Sequence, residues 1–546
     1  MKLKHIIFAF ALATGLGSCE LDKFPQDLIS SENFWKTEND VNLALNGCYA
    51  YLDASVYDAY YDGYADNAYC QYSWESNAVN VSAGNINTDM NDGYNYEGIR
   101  RFNYFLDNVD KAPISKEEAN QYKAEVKVLK AFTYFHLANK FGAVPVFTKS
   151  IQTADDAKVV PTPEADVIKY VIKELDEAIP NLPQPATIKS RISKAAALAI
   201  KARVQLYYQN WAGAAATSQE IMNLKNYSLF TADATSDDLK DEYSKFVTFA
   251  NDDDKAAFYK GLSSYEKLFW NDNQGNDEVI LEVEYKSDTD FSSGINTIFF
   301  SDNVGGGWSS ITPTQELVNA YWTRDGKSFT APTTEERQAA YANGQYSDSF
   351  LNEFKNRDTR LYASIMFPGS IWNRLMDNGT FVWNKGGSNI SKTGYNFRKM
   401  TDPTVPLQEW NAPQNFPVIR YAEILLMYAE AQNEAAGPSP AVYDALDLIR
   451  SRVGMPVINR NTVNTKELLR EVIRNERRIE LAGEGFRWGD TRRWGISSSV
   501  MKNTYAVDGG LVQARIWDNK FNRLPYPQKA VDGNPNLKAA QTAKGY

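Results

Sequence analysis

Histidine is almost absent from this 546-residue chain, which holds two, His5 and His136. Cysteine is nearly as scarce, with Cys19, Cys48 and Cys70. So few imidazoles and thiols leave no HExxH motif and no zinc-ligand set. The GxSxG elbow and the phosphate-binding P-loop are missing too. No long Lys/Arg cluster offsets a net charge of -10. That balance argues against nucleic acid, whose phosphates must be met by basic patches. Beyond the first residues no apolar run approaches the roughly 20 residues needed to cross a bilayer. No cofactor and no metal is expected, and His136, alone in an apolar helix, reads as a satisfied core residue.

What is present begins with a leader. Met1-Lys2-Leu3-Lys4-His5 is basic, Ile6 to Leu16 is apolar, and Gly17-Ser18-Cys19 follows. A basic start, a short apolar stretch and a small-residue processing site describe an export signal. Leu16-Gly17-Ser18-Cys19 resembles a bacterial lipobox, so residues 1–18 are expected to be the signal peptide and Cys19 the acylated N-terminus. Several acyl chains on one residue give durable anchoring, at about 0.8 kcal/mol per buried methylene. Residues 19–37, with Pro25, read as a tether. Export permits a disulfide between Cys48 and Cys70; two small buried thiols are the equal alternative.

Helical periodicity starts near Asp40 and continues to about residue 225. From Glu117 to Lys140, Val128, Ala131, Phe132, Phe135 and Leu137 share one face. Phe141-Gly142 and then Pro145 stop that helix. Pro163 to Ile179, Ser193 to Gln209 and Trp211 to Asn223 follow as further helices, the last two rich in alanine. Small residues allow close packing, and the spacing suggests degenerate tetratricopeptide-like hairpins. Between about 226 and 415 polar loops dominate, including Asn251-Asp252-Asp253-Asp254, with one alternating strand at Glu278–Tyr285. Helices return at Tyr421–Glu434, Ala441–Ser451 and Lys466–Ala482.

The C-terminal third carries an ordered set of motifs. They are Arg420-Tyr421-Ala422-Glu423-Ile424-Leu425-Leu426-Met427-Tyr428-Ala429-Glu430-Ala431, then Leu448-Ile449-Arg450, Asn475-Glu476-Arg477-Arg478, Glu484-Gly485-Phe486-Arg487-Trp488 and Leu524-Pro525-Tyr526-Pro527. Upstream, Ala124–Phe135 running into Phe141-Gly142-Ala143-Val144-Pro145, and Pro313-Thr314-Gln315-Glu316-Leu317 with Asp325-Gly326-Lys327, complete the order. Together these resemble the SusD/RagB family of outer-membrane nutrient-binding lipoproteins. The resemblance implies a mainly α fold, with a tetratricopeptide-like helix-hairpin scaffold supporting an irregular, loop-rich ligand-binding half with a few short strands. It groups residues 38–225 as an N-terminal helical region and 226–546 as a C-terminal region integrated with it. It also implies a SusC-like TonB-dependent outer-membrane transporter as partner, a cell-surface location, and an oligosaccharide ligand; some relatives bind peptides instead.

Aromatic residues make up 13% of the chain, and Tyr and Trp suit surfaces that are apolar on one side and wet on the other. Two loops mix such rings with amides and carboxylates. The first, Tyr57 to Tyr96, supplies Asp66, Asn67, Tyr72, Trp74, Asn77, Tyr94 and Tyr96 as candidate ligand contacts. The second, Ser287 to Thr312, supplies Trp308, which follows three glycines and so is not expected mid-helix. Trp372 and Trp383 are lesser candidates. The charged run Glu476, Arg477, Glu480, Glu484, Arg487, Asp490 and Arg492 reads instead as a salt-bridge network, with Trp488 and Trp494 as core. Two other functions compete with binding. A glycoside hydrolase needs a matched pair of carboxylates, which no motif marks here; a protein-interaction scaffold needs only the repeats.

Overall fold

The computed structural model describes residues 34–186, 188–302, 306–371, 379–405 and 409–546. The signal peptide, Cys19, most of the tether, Gly305 and Trp372 lie outside the described residues. The fold is mainly helical, with four two-stranded antiparallel pairs among the described residues.

The helices form where their caps predict. Ser115 accepts from the Glu118 amide and Glu118 answers at the Ser115 amide, a capping box that starts Lys116–Phe141. Gly142, at φ +77°, ends it. That helix packs on Glu164–Ala178, which buries Val167, Val171 and Leu175 along one stripe. Lys194–Tyr207 is buried nearly all round, and its alanines Ala195, Ala196, Ala199 and Ala202 let neighbours approach on both sides. It pairs with Trp211–Asn223, and that helix with Tyr421–Ala436. Pro440–Arg452 and Lys466–Glu480 pack next to the last of these. The hairpin array therefore leaves the chain at residue 223 and resumes at 421. Strand Val279–Val283 pairs with Phe416–Arg420 at the point of re-entry.

The middle of the chain is more regular than its composition suggests. The run Asn251–Asp254, read as a loop, begins a helix, Asp252–Glu266. Asn251 caps it by accepting from the Asp254 amide, and three acidic residues in the first turn complement the helix dipole. Asp254 itself is taken by Arg324 at 2.6 and 2.9 Å. Thr334–Ala342 is a second helix in this half, started by a capping box between Thr333 and Glu336.

The charged C-terminal run holds the two halves together from inside. Arg420 donates to Glu484, Glu480 and Glu278. Arg360 reaches Asp358, Glu476 and Glu480, and Arg452 reaches Glu278 and Glu480. All of these side chains are within 2% of complete burial. Trp488 is buried with them, whereas Trp494 is half-buried and donates its indole N–H to Glu430 at 2.7 Å. Cys48 and Cys70 are both buried free thiols, which settles the open alternative in favour of packing. Burial pushes the Cys48 thiol up to about 12.

Candidate functional site

A three-residue strand pair brings the two aromatic loops together. Ala68–Cys70 runs antiparallel to Ile311–Pro313, with Tyr69 opposite Thr312. The contact continues past the strands, because Gln71 takes the Ser310 carbonyl through its amide and the Trp308 and Ser309 carbonyls through its side chain. Tyr72 and Trp74 therefore emerge beside Trp308. Gly307 is required just before that tryptophan: a Cβ there would lie 2.4 Å from the Phe300 carbonyl oxygen.

The rings form a continuous strip. Trp74, 73% exposed, lies 4.6 Å from Tyr72 between centroids. Tyr72 meets Trp308 edge to face at 6.2 Å, and Trp308 meets Trp410 at 5.3 Å. Trp410 comes from a segment that sequence reasoning passed over. A bridge between Ser293 and Ala412 carries it in, and its amide donates to Thr297 Oγ1 at 2.8 Å. Gly294 makes room: a Cβ there would stand 2.7 Å from the Trp410 ring and 3.0 Å from the Tyr57 hydroxyl. Tyr57 is exposed at that end, and Phe291, two residues before the Ser293–Ala412 bridge, is exposed as well. Trp410 sits in a polar loop with Glu409 and Asn411, the same mixture that marked Trp74, so composition alone was a usable signal.

Polar groups underlie and flank the rings. Tyr72 donates its hydroxyl to Asn389 Oδ1 at 2.6 Å, and Tyr60, stacked on Tyr57, donates to Glu75 Oε2 at 2.6 Å. Burial, and then the Glu75 charge, raise the phenols of Tyr57 and Tyr72 above their ordinary value. These tyrosines stay neutral donors at any physiological pH.

Other expected contacts lie elsewhere. Asp66 and Asn67 are corrected: they are 3% and 1% exposed and face inward. Asp66 accepts from Arg487 at 2.7 and 3.0 Å and pairs with Arg478 at 2.8 Å, while Asn67 Oδ1 accepts from Arg478. Burial alone would raise the Asp66 carboxyl, but the two guanidiniums outweigh it and hold it well below the usual range. Tyr94 and Tyr96 join a separate cluster with Phe141, Tyr526 and Phe147, where the Tyr96 hydroxyl donates to the Pro145 carbonyl. They close the end of the Lys116–Phe141 helix and are not brought to Trp308. Asn77 is half-buried at the start of the short helix Ala78–Ser82, three residues from Trp74. Trp383 is core, its indole donating to the Ser391 carbonyl.

A partly open cavity of about 90 Å³ lies between the helix array and the C-terminal half, lined by Asp53, Asp58, Tyr61, His136 and Lys140 among others. His136 is satisfied there, with Nδ1 2.9 Å from Asp53. Burial would raise the Asp53 carboxyl, but His136 and Lys140 take it down to about 2. Burial, reinforced by Asp53, raises Asp58 to about 7. The folded protein thus favours a protonated Asp58 below neutrality and carries an unfavourable charge above it, while the unfolded chain ionises near pH 3.9. Asp58→Asn, which keeps the cap on the Ser55 amide, is expected to raise stability by about 1–3 kcal/mol at pH 8. The gain should be smaller at pH 5. Urea unfolding at the two pH values measures it, and an equal effect at both would contradict the raised carboxyl.

Comparison places this mainly helical chain in a known class of protein. Residues 277–546 match the family model described as "SusD family", and residues 21–206 match "Starch-binding associating with outer membrane". The chain belongs to the SusD/RagB family. SusD-like protein P38 of Formosa agariphila is 28% identical over 556 residues, spanning 96% of this chain and 97% of that one. Among solved structures, a SusD-like protein of Bacteroides fragilis superposes with a TM-score of 0.78 at 24% identity, covering 94% of this chain and 98% of its own. A SusD-like carbohydrate binding protein of the same species gives 0.73 at 25% identity, over 92% and 99%.

Proposed function

We propose that this chain is a cell-surface glycan-binding lipoprotein. It captures oligosaccharides on the strip of Trp74, Tyr72, Trp308 and Trp410 and delivers them, unmodified, to a SusC-like TonB-dependent transporter in the outer membrane. The carrying observation is the strip itself. Four rings follow one another at centroid spacings of 4.6, 6.2 and 5.3 Å, on backbone fixed by strand pairing. Sugar rings present C–H faces that stack on such rings, while their hydroxyls need amide and carboxylate partners. Asn389, Asn77 and Glu75 stand on or beside the same loops. Membership in a family with a starch-binding, outer-membrane-associating model, and likeness to a carbohydrate-binding protein, support the ligand class and the location. Lipid on Cys19 would hold the protein at the membrane, and the tether to residue 37 would let it sit over the barrel.

Titration of the mature chain against oligosaccharide and peptide panels, with the products then separated by chromatography, tests this reading. Saturable binding of an oligosaccharide recovered intact is expected. Turnover of the ligand, or affinity for peptides alone, would sink it.

A further inference from the structure

The segments that build the strip share a feature that aromatic content does not require. Residues 37–99, 287–323 and 401–419 contain no Lys, Arg or His, although the chain as a whole has 58 Lys and Arg in 546 residues. Every ring of the strip comes from these three stretches, Tyr72 and Trp74 from the first, Trp308 from the second and Trp410 from the third, and the exposed Tyr57 and Phe291 lie in the first two.

The charges that are present are acidic. Glu75 lies against the tyrosines, with Oε2 on the Tyr60 hydroxyl and Oε1 buried without a hydrogen-bond partner. It forms no ion pair among the described residues. Its field reaches the strip, because after burial it is the cause that raises the phenols of Tyr57 and Tyr72. Asp288 and Asp290 are exposed beside Phe291, Glu409 is exposed beside Trp410, and Asp302 is exposed where its amide meets the Asn389 carbonyl. The flanking cations are few. Lys286 stands two residues before Asp288, Lys385 is spent on Asp508, and Lys392 is exposed beyond Asn389.

Carboxylates and sulfates on a sugar are recognised by charge-assisted hydrogen bonds, above all from the planar fork of arginine. With no arginine from its own three stretches and, among the described residues, only those few flanking lysines, a surface set among carboxylates that form no ion pair repels an anionic ligand and leaves its charge unpaired on contact. Neutral hydroxyls suffer no such penalty, and carboxylate and amide acceptors suit them.

We propose that the strip selects neutral glycans, built of uncharged hexoses or pentoses, and rejects those carrying uronic acid or sulfate ester groups. This rests on the glycan-binding reading above and narrows its ligand class.

Native affinity electrophoresis of the mature chain tests it, with gels containing neutral polymers (amylopectin, a β-1,3-glucan, a galactomannan, an arabinoxylan) or acidic ones (polygalacturonate, alginate, a carrageenan). Retention by at least one neutral polymer is expected, abolished in Trp308→Ala, with no retention by the acidic set. Calorimetric titration with an oligosaccharide of the retained polymer should give a Kd that changes less than about twofold between 0.05 and 0.5 M NaCl, since an uncharged ligand has nothing to screen. Retention by an acidic polymer that Trp308→Ala abolishes would overturn the charge selection and leave the glycan reading intact. Retention by no polymer of either set would remove the glycan reading and this inference with it.

Discussion

Replacing Trp308 by alanine is expected to weaken oligosaccharide binding by about 2 kcal/mol or more, roughly thirtyfold in Kd. Trp308 occupies the centre of the strip, edge to face with both Tyr72 and Trp410. Its backbone is held at both ends of the peptide, by the Thr297 carbonyl at 2.7 Å and the Gln71 side chain at 2.6 Å. Truncation therefore removes the ring without releasing the strand pair beneath it. Central, preorganised rings dominate recognition surfaces because they lose little freedom on binding. Trp74→Ala should cost less, about 0.5–1.5 kcal/mol, since that ring sits at the exposed end of the strip and touches Tyr72. Folded stability should change by no more than about 0.5 kcal/mol in Trp74→Ala. Calorimetric titration of each variant, with circular dichroism as the folding control, measures both effects. Undiminished affinity in both would refute the placement of the site.

The second large effect is on stability. Glu480→Gln should destabilise the protein by about 3–5 kcal/mol, read as a lower urea midpoint, because breaking a buried ion pair strands its partners. Glu480 accepts from Arg420 at 2.7 Å and Arg360 at 3.0 Å, and it pairs with Arg452. None of the three guanidiniums is more than 1% exposed. Gln offers a single neutral acceptor, so charge in the interior goes unbalanced. Burial alone would raise the Glu480 carboxyl, but the three arginines and Lys399 outweigh it and hold it far below the usual range. A depressed carboxyl contributes stability that is complete above its unfolded value, about 4.3, and is lost as pH falls below that. Wild-type stability should therefore drop steeply from pH 4.5 downward, and Glu480→Gln should flatten that slope. Oligosaccharide affinity at neutral pH should stay within about twofold of wild type, since the network lies inside the protein and the strip outside. A urea midpoint unchanged from wild type would show that the network is not a structural clamp.

Much of the helical half was legible because helix signals are local. Ser115 with Glu118, and Pro163 ahead of Glu164–Ala178, mark the starts of two helices, and Gly142 marks the end of the first. Trp211–Asn223 spans the residues its alanines suggested. The middle was misjudged where polarity was read as loop. Asn251–Asp254 is polar because it caps and charges a helix start, and Thr333 with Glu336 spelled a capping box that a loop-rich composition concealed. At the site, Tyr72, Trp74 and Trp308 were readable as rings in polar loops. Asp66 and Asn67 were not distinguishable from solvent-facing neighbours, because an acid reads the same in sequence whether it meets water or Arg487.

The sequence alone determined the order of helices, the family, the interior fate of the charged C-terminal run and the two loops worth inspecting. Each of these follows from residues close together in the chain or from an ordered set of motifs. Which rings share one surface was decided only in three dimensions. Trp74 and Trp308 meet because Ala68–Cys70 pairs with Ile311–Pro313, and Trp410 joins them through the Ser293–Ala412 bridge. Tyr94 and Tyr96, from the same loop as Trp74, are drawn instead to other rings, Tyr94 to Phe141 and Tyr526 and Tyr96 to Phe147. Pairing between segments more than a hundred residues apart leaves no periodicity in either of them, and a one-residue change of register would have turned the other face of the strand outward.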